Sequence, residues 1–239
     1  MNSLQHKTVL ITGGTDGIGK ELAHQLRAKG ATVIVTGRNA ARIAAAKTDG
    51  FAVIAADLSL PKGIDAVIDG LGSCTPDILI NNAGAGSDHD FREAAPDLAD
   101  NDRCIFLNLN APIHLIARML PSLRARPEAM IVNVTSGLAI APRAGGPVYC
   151  ATKAALLSLT RSLAMEFMHE PVRINALAPG GMLTPMATGL TIPDGLALDL
   201  VGRYMGIRPP SEIEDIVAPL MFLASDRAKS VHGACYTAD

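Results

Sequence analysis

The chain has 239 residues, 49% of them hydrophobic, with a formal net charge of -2. That length and composition suit one compact domain, and the near-neutral charge excludes a basic nucleic-acid face or a charged membrane-binding face. Its four cysteines (Cys74, Cys104, Cys150, Cys235) form no CxxC pair and its six histidines no HExxH, so no metal centre and no disulfide framework is expected.

The N-terminus, MNSLQHKTVLITGG, has no long apolar h-region, and no run of about 18 apolar residues occurs, so a cytoplasmic protein without signal peptide or membrane span is expected. TVLIT (8–12) is a short β-branched run ending in glycines and predicts a first buried strand. GKELAHQLRAKG (19–30) has helical spacing and a terminal glycine stop. ATVIVTGR (31–38) predicts a second strand, a helix follows through Ala40–Lys47, and FAVIAADL (51–58) predicts a third strand. DILINNAG (77–84), AMIVNVTSG (129–137), VRINALAPGG (172–181) and GACYTAD (233–239) predict four more strands. Helical patterns lie between them, notably at 103–125 and 148–169. The strands are almost continuously apolar, as strands covered on both faces must be. Strand–helix alternation without repeat or linker predicts a single-domain Rossmann fold over 1–239: a doubly wound parallel sheet of about seven strands with helices on both faces.

The turn TGGTDGIG (12–19) joins the first strand to the first helix. Gly13, Gly17 and Gly19 lack a Cβ where the chain must turn sharply and admit a ligand. The helix behind them directs free N–H groups and a positive dipole end outward, which suits a pyrophosphate. Tyr149 and Lys153 stand one helical turn apart in PVYCATKAALL (147–157), so both side chains reach one cleft. A phenol carries protons poorly at neutral pH unless a neighbouring cation favours its ionised form, and Lys153 is that cation.

The spacing T-G-x-x-x-G-x-G, with NNAG at 81–84 and Y-x-x-x-K at 149–153, resembles the short-chain dehydrogenase/reductase family from Lys7 to Asp239. The resemblance implies an NAD(P)-dependent oxidoreductase interconverting a carbonyl and a secondary alcohol. It implies that Tyr149 exchanges the proton and that Lys153 lowers the phenol pKa and binds the nicotinamide ribose. Ser136, at the end of strand five, would orient the substrate oxygen. Asn108 would hold a water linking Lys153 to solvent. On the cofactor side it implies Thr15, Asp16 and Ile18 beside the three turn glycines, and Asp57 and Leu58 at the adenine. Asn81, Ala83 and Gly84 would line the adenosine, and Pro179, Gly180, Met182 and Thr184 the nicotinamide.

An acid ending strand two would bind a free ribose hydroxyl, but Gly37 and Arg38 stand there. A guanidinium without the acid favours NADP(H) over NAD(H), while Asp16, in the glycine turn, pulls the other way. Residues 185–210 are apolar with glycine and proline punctuation and predict a substrate loop for a small-molecule carbonyl or alcohol. Two alternatives accompany this reading. One is a 3-oxoacyl-[acyl-carrier-protein] reductase docking its carrier at Arg124 and Arg126. The other is a non-catalytic cofactor sensor, disfavoured because the polar quartet is complete. Apolar side chains beyond one buried stripe on helices 103–125 (Ile113, Leu115, Ile116, Met119, Leu120) and 148–169 (Leu156, Leu157, Leu159, Leu163, Ala164, Phe167, Met168) predict a homotetramer or homodimer.

Overall fold

The computed structural model describes residues 4–87, 98–182 and 209–238. Seven strands form one parallel sheet: β1 Thr8–Ile11, β2 Thr32–Gly37, β3 Ala52–Ala55, β4 Ile78–Asn81, β5 Ala129–Val134, β6 Val172–Pro179 and β7 Cys235–Ala238, in the spatial order β3-β2-β1-β4-β5-β6-β7. The helices are α1 Gly17–Ala28, α2 Ala40–Thr48, α3 Pro61–Leu71, α4 Ala99–Ile105, α5 Ala111–Arg124, α6 Pro147–Glu166 and α7 Ile213–Leu223. A π-helical turn, Phe106–Asn110, joins α4 to α5. The predicted class and all seven strands stand, each within a few residues. The 103–125 prediction merges three elements that differ in hydrogen-bond pitch.

Side-chain alternation along each strand supplies both faces of the sheet. Val9 and Ile11 point into a core closed by Leu22 and Leu26 of α1 and by Ile216, Val217 and Leu220 of α7. Leu10, between them, enters the opposite core with Ile64 and Val67 of α3 and Leu115, Ile116 and Met119 of α5. The helical run 99–124 is long and apolar enough by composition to cross a membrane. Here α5 instead buries Leu115 and Leu123 completely beneath the sheet.

The strand order reverses between β1 and β4, so their loops diverge above the sheet and leave a crevice at its C-terminal edge. Of the predicted substrate loop 185–210, all but Pro209 and Pro210 lie outside the described residues, as does Thr184.

Candidate active site

The crevice begins at the glycine turn. Thr12 Oγ1 accepts from the backbone N–H groups of Asn82 and Ala83, each at 3.0 Å. The Asn82 amide donates back to Thr12 O at 2.9 Å and Gly13 O at 3.2 Å. Gly13 N donates to Thr36 Oγ1 at 3.2 Å. These bonds lock the turn to the ends of β2 and β4. A Cβ on Gly19 would meet Gly13 O at 2.5 Å, so only glycine lets the helix start that close to the turn. Gly17 has φ +51° and nothing within 4 Å of where its Cβ would lie. The chain is thus bared towards open space where a pyrophosphate would approach. Asp16 caps α1 without a side-chain bond, leaving the first-turn N–H groups available, and Ile18 packs against the core. This cradle fits a dinucleotide.

Its adenosine end is an open hollow of about 520 Å³ lined by Arg38, Asn39, Ala55, Ala56 and Asp57. Asp57 Oδ1 accepts from Ser59 N at 3.1 Å and Ser59 Oγ at 2.7 Å, and Arg38 Nη1 stands 3.4 Å from Oδ2. Burial pushes the Asp57 carboxyl up, but the Ser59 bonds and the Arg38 charge outweigh it and hold the pKa below the ordinary range. Leu58 turns its side chain into the core, so only its backbone can face a ligand. Asp16, the residue opposing an NADP(H) preference, ion-pairs at 2.8 Å with Arg42, in the first turn of α2. Sequence reasoning missed Arg42, although its position four residues after Arg38 on a helix start was a usable signal. A Cβ at Gly37 would lie 2.6 Å from both Thr15 Oγ1 and Thr15 Cγ2, so Thr15 occupies the place an acidic side chain would need.

The catalytic end lies across β4 and β5. Ser136 is buried at the end of β5, its Oγ accepting from Leu138 N at 3.2 Å, and its hydroxyl lies close enough to the Tyr149 phenol to favour the phenolate. Lys153 is buried, and its Nζ donates to Val134 O at 2.9 Å and lies 5.9 Å from the centre of the Tyr149 ring. A Cβ on Gly84 would stand 3.3 Å from that Nζ, so the glycine leaves the ammonium its room. Burial draws the Lys153 pKa down to about 8, against a smaller upward pull from Cys104. Burial pushes the Tyr149 phenol above its usual 10 and Cys104 and Cys150 add to the rise, while the Ser136 hydroxyl and the Arg143 charge oppose it. Lys153 is not among the groups that shift the phenol in this arrangement, and its ammonium donates to the Val134 carbonyl.

Two asparagines are engaged within the fold. The Asn81 side chain is buried and donates to Asn133 Oδ1 at 2.8 Å, and Asn133 donates in turn to Thr160 Oγ1 at 2.9 Å, so that side chain is engaged within the sheet. Asn82, its neighbour in NNAG, is the one that reaches the glycine turn. Asn108 accepts from Ala85 N at 2.9 Å and donates to Ala85 O at 2.9 Å and Thr152 Oγ1 at 3.1 Å. Its amide clamps the loop after β4 to α6, so the implied water link does not fall to its side chain. Pro179 is buried at the end of β6, Gly180 N donates to Ala238 O at 2.7 Å, and Met182 pairs with Ser211. The Met182–Ser211 bridge and the bond from Ser211 N to Gly181 O join the residues that flank 183–208. The carrier-docking candidates are already engaged, Arg124 by Glu170 at 2.6 Å and Arg126 by Asp77 at 3.6 Å.

Comparison with known proteins adds a family to this geometry. Residues 7–193 match the family model described as short chain dehydrogenase. The "Uncharacterized oxidoreductase DltE" of Bacillus subtilis is 41% identical over 180 residues, 74% of this chain and 71% of that protein. L-Sorbose reductase from Gluconobacter frateurii, solved in complex with NADPH and L-sorbose, superposes with a TM-score of 0.85 at 30% identity, covering 100% of this chain and 97% of that one. A 3-ketoacyl-(acyl-carrier-protein) reductase from Brucella melitensis, solved with NADH, gives 0.87 at 28% identity, covering 99% and 98%.

Proposed function

The chain belongs to the short-chain dehydrogenase family, and we propose that it interconverts a carbonyl and a secondary alcohol, preferring NADP(H) to NAD(H). The observation that carries this reading is the grouping of Ser136, Tyr149 and buried Lys153, its Nζ 5.9 Å from the Tyr149 ring, at one end of a crevice whose other end is the bared glycine turn. When bound, the nicotinamide supplies or takes the hydride.

This chain's own groups hold the oxygen and move the proton. The Tyr149 phenol, its pKa raised by burial, stays protonated at neutral pH and is a ready donor to a carbonyl oxygen in the reductive direction. The Ser136 hydroxyl, beside the phenol, donates to the same oxygen and fixes its direction. Lys153, with a pKa of about 8, is mostly an ammonium at neutral pH and offsets the negative charge left on Tyr149. Asn108 positions this group by fastening Thr152, whose Oγ1 donates to Tyr149 O at 2.8 Å.

The cofactor preference is supported by Arg38 at the rim of the adenosine hollow, by Thr15 filling the place of an acid at position 37, and by Arg42 neutralising Asp16. The Arg38–Asp57 pair is solvent-exposed and weak, so Arg38 gives it up at small cost to a 2′-phosphate. Four cysteines without a disulfide between them support a reduced, cytoplasmic setting.

The test is a panel of ketones and secondary alcohols with each cofactor, followed at the nicotinamide absorbance band. At least one substrate should turn over, with NADP(H) preferred. Arg38→Asp should move that preference towards NAD(H) by about one to two decades, the worth of a charge-assisted phosphate contact. A wild-type preference for NAD(H) would reject the Arg38 assignment.

A further inference from the structure

Between the Ser136 turn and the Tyr149 helix runs the loop Ile140–Gly146, and in its middle stands Arg143. Arg38, Arg42, Arg118, Arg124 and Arg126 each face a carboxylate within 4 Å. Arg143 faces none among the described residues, and its guanidinium makes a 3.5 Å contact with Ala144 O inside its own loop. The side chain is partly buried, so it is not a freely solvated surface charge. The loop joins the turn capped by Ser136 to the first turn of the helix that carries Tyr149, so it borders the place of the reacting oxygen. Its charge is felt at the phenol, with the sign that stabilises an anion there. The second cation of this region, Lys153, is buried and bonded to Val134 O. Lys153 and Arg143 thus bring two cations to this end of the crevice, neither paired with a carboxylate among the described residues.

We propose that Arg143 is a specificity-determining residue that binds an anionic group of the substrate, and that the substrate is a carbonyl compound or alcohol carrying a carboxylate or a phosphate ester. The inference rests on the carbonyl–alcohol reading above. A guanidinium offers a planar pair of donors that either anion accepts in bidentate fashion. Holding the anion at the loop while Ser136 and Tyr149 hold the oxygen fixes the substrate at two points, which orients its carbonyl carbon. A neutral substrate would leave the Arg143 guanidinium without an anionic partner.

The experiment uses matched pairs with NADPH: levulinate and its methyl ester, acetoacetate and its methyl ester, and dihydroxyacetone phosphate and dihydroxyacetone. Each is measured with the wild type, Arg143→Met and Arg143→Lys. In parallel, binding of the same compounds to the NADPH-loaded Tyr149→Phe variant is followed by nicotinamide fluorescence. The wild type should favour the anionic member of at least one pair by about tenfold to a hundredfold in kcat/KM. Arg143→Met should cost that anion about tenfold or more beyond what it costs the neutral partner, with Arg143→Lys in between. Whether the carboxylates or the phosphate show the effect identifies the anion. Equal use of both members of every pair would overturn the inference, as would equal losses in Arg143→Met. Anion binding that depends on Arg143 without any turnover would uphold the site and reject the reaction. Neither binding nor turnover of any anion would overturn the inference while leaving other ketones to test the reaction.

Discussion

Tyr149 must give up a proton at a position where burial alone would make it keep one, so the groups around it decide its chemistry. Ser136 and Arg143 both favour its anion, and Lys153 stands ready beneath the ring. The ammonium itself is costly. With a folded pKa of about 8 against an ordinary 10.5, the unfolded chain binds a proton between those values that the folded chain does not. Stability contributed at this site is therefore least below pH 8 and rises with pH through the window up to 10.5, by up to about 3 kcal/mol. Urea unfolding of the wild type and Lys153→Met across that window should show the wild type gaining on the variant as pH rises. A constant difference would mean that the buried ammonium is not depressed. Tyr149, Lys153 and Ser136 were legible in the sequence because one-turn spacing and a strand end fix where their side chains go. Arg42, on its helix start, left a signal that went unused, and Arg143 left none, because its role depends on a loop brought beside the site only by the tertiary fold.

Adjacent residues of one element can have opposite duties. Asn81 ends β4 and points along the sheet to Asn133, its partner across β5. Asn82, one residue later, turns to the glycine loop. Strand pleating sends neighbours to opposite sides, and the sequence does not say on which residue the strand stops. The motif is therefore legible in the sequence, while the side chain that anchors the glycine turn is not. Asn82→Ala removes two bonds from the turn and leaves the Thr12 and Gly13 carbonyls short of a donor. It should lower stability by about 1–2 kcal/mol and weaken NADPH binding, measured by fluorescence titration. Unchanged cofactor affinity would show that the turn holds its shape without this anchor. The seven strands themselves were readable because each is an apolar run bounded by turn residues. The π-helical turn at Phe106–Asn110 was not, since it changes hydrogen-bond pitch without changing the apolar pattern.

For the whole molecule, most of the apolar surplus assigned to self-association goes into the monomer's own core. Leu115, Ile116, Met119, Leu156, Leu157 and Ala164 are buried, and Leu120, Leu163 and Phe167 pack against the same core. What remains exposed on the two helices is Ile105, Ile113, and Met165, with Met168 just beyond. On the edge strand β7, Tyr236 is exposed beside a hollow of about 410 Å³ shared with α7. These surfaces support a homodimer or homotetramer, and large exposed side chains on packed helices favour coverage by a second copy. Light scattering at micromolar concentration should give twice or four times the 24.9 kDa chain mass. A mass equal to one chain would refute self-association.

The central claim, proton transfer by Tyr149 in a nicotinamide-dependent carbonyl–alcohol reaction, is tested most directly by Tyr149→Phe. The ring stays and the transferable proton goes. With a substrate the wild type reduces, kcat followed at the nicotinamide absorbance band should fall by a factor of about 10² or more while NADPH affinity changes little. Near-normal turnover by the variant would contradict the account.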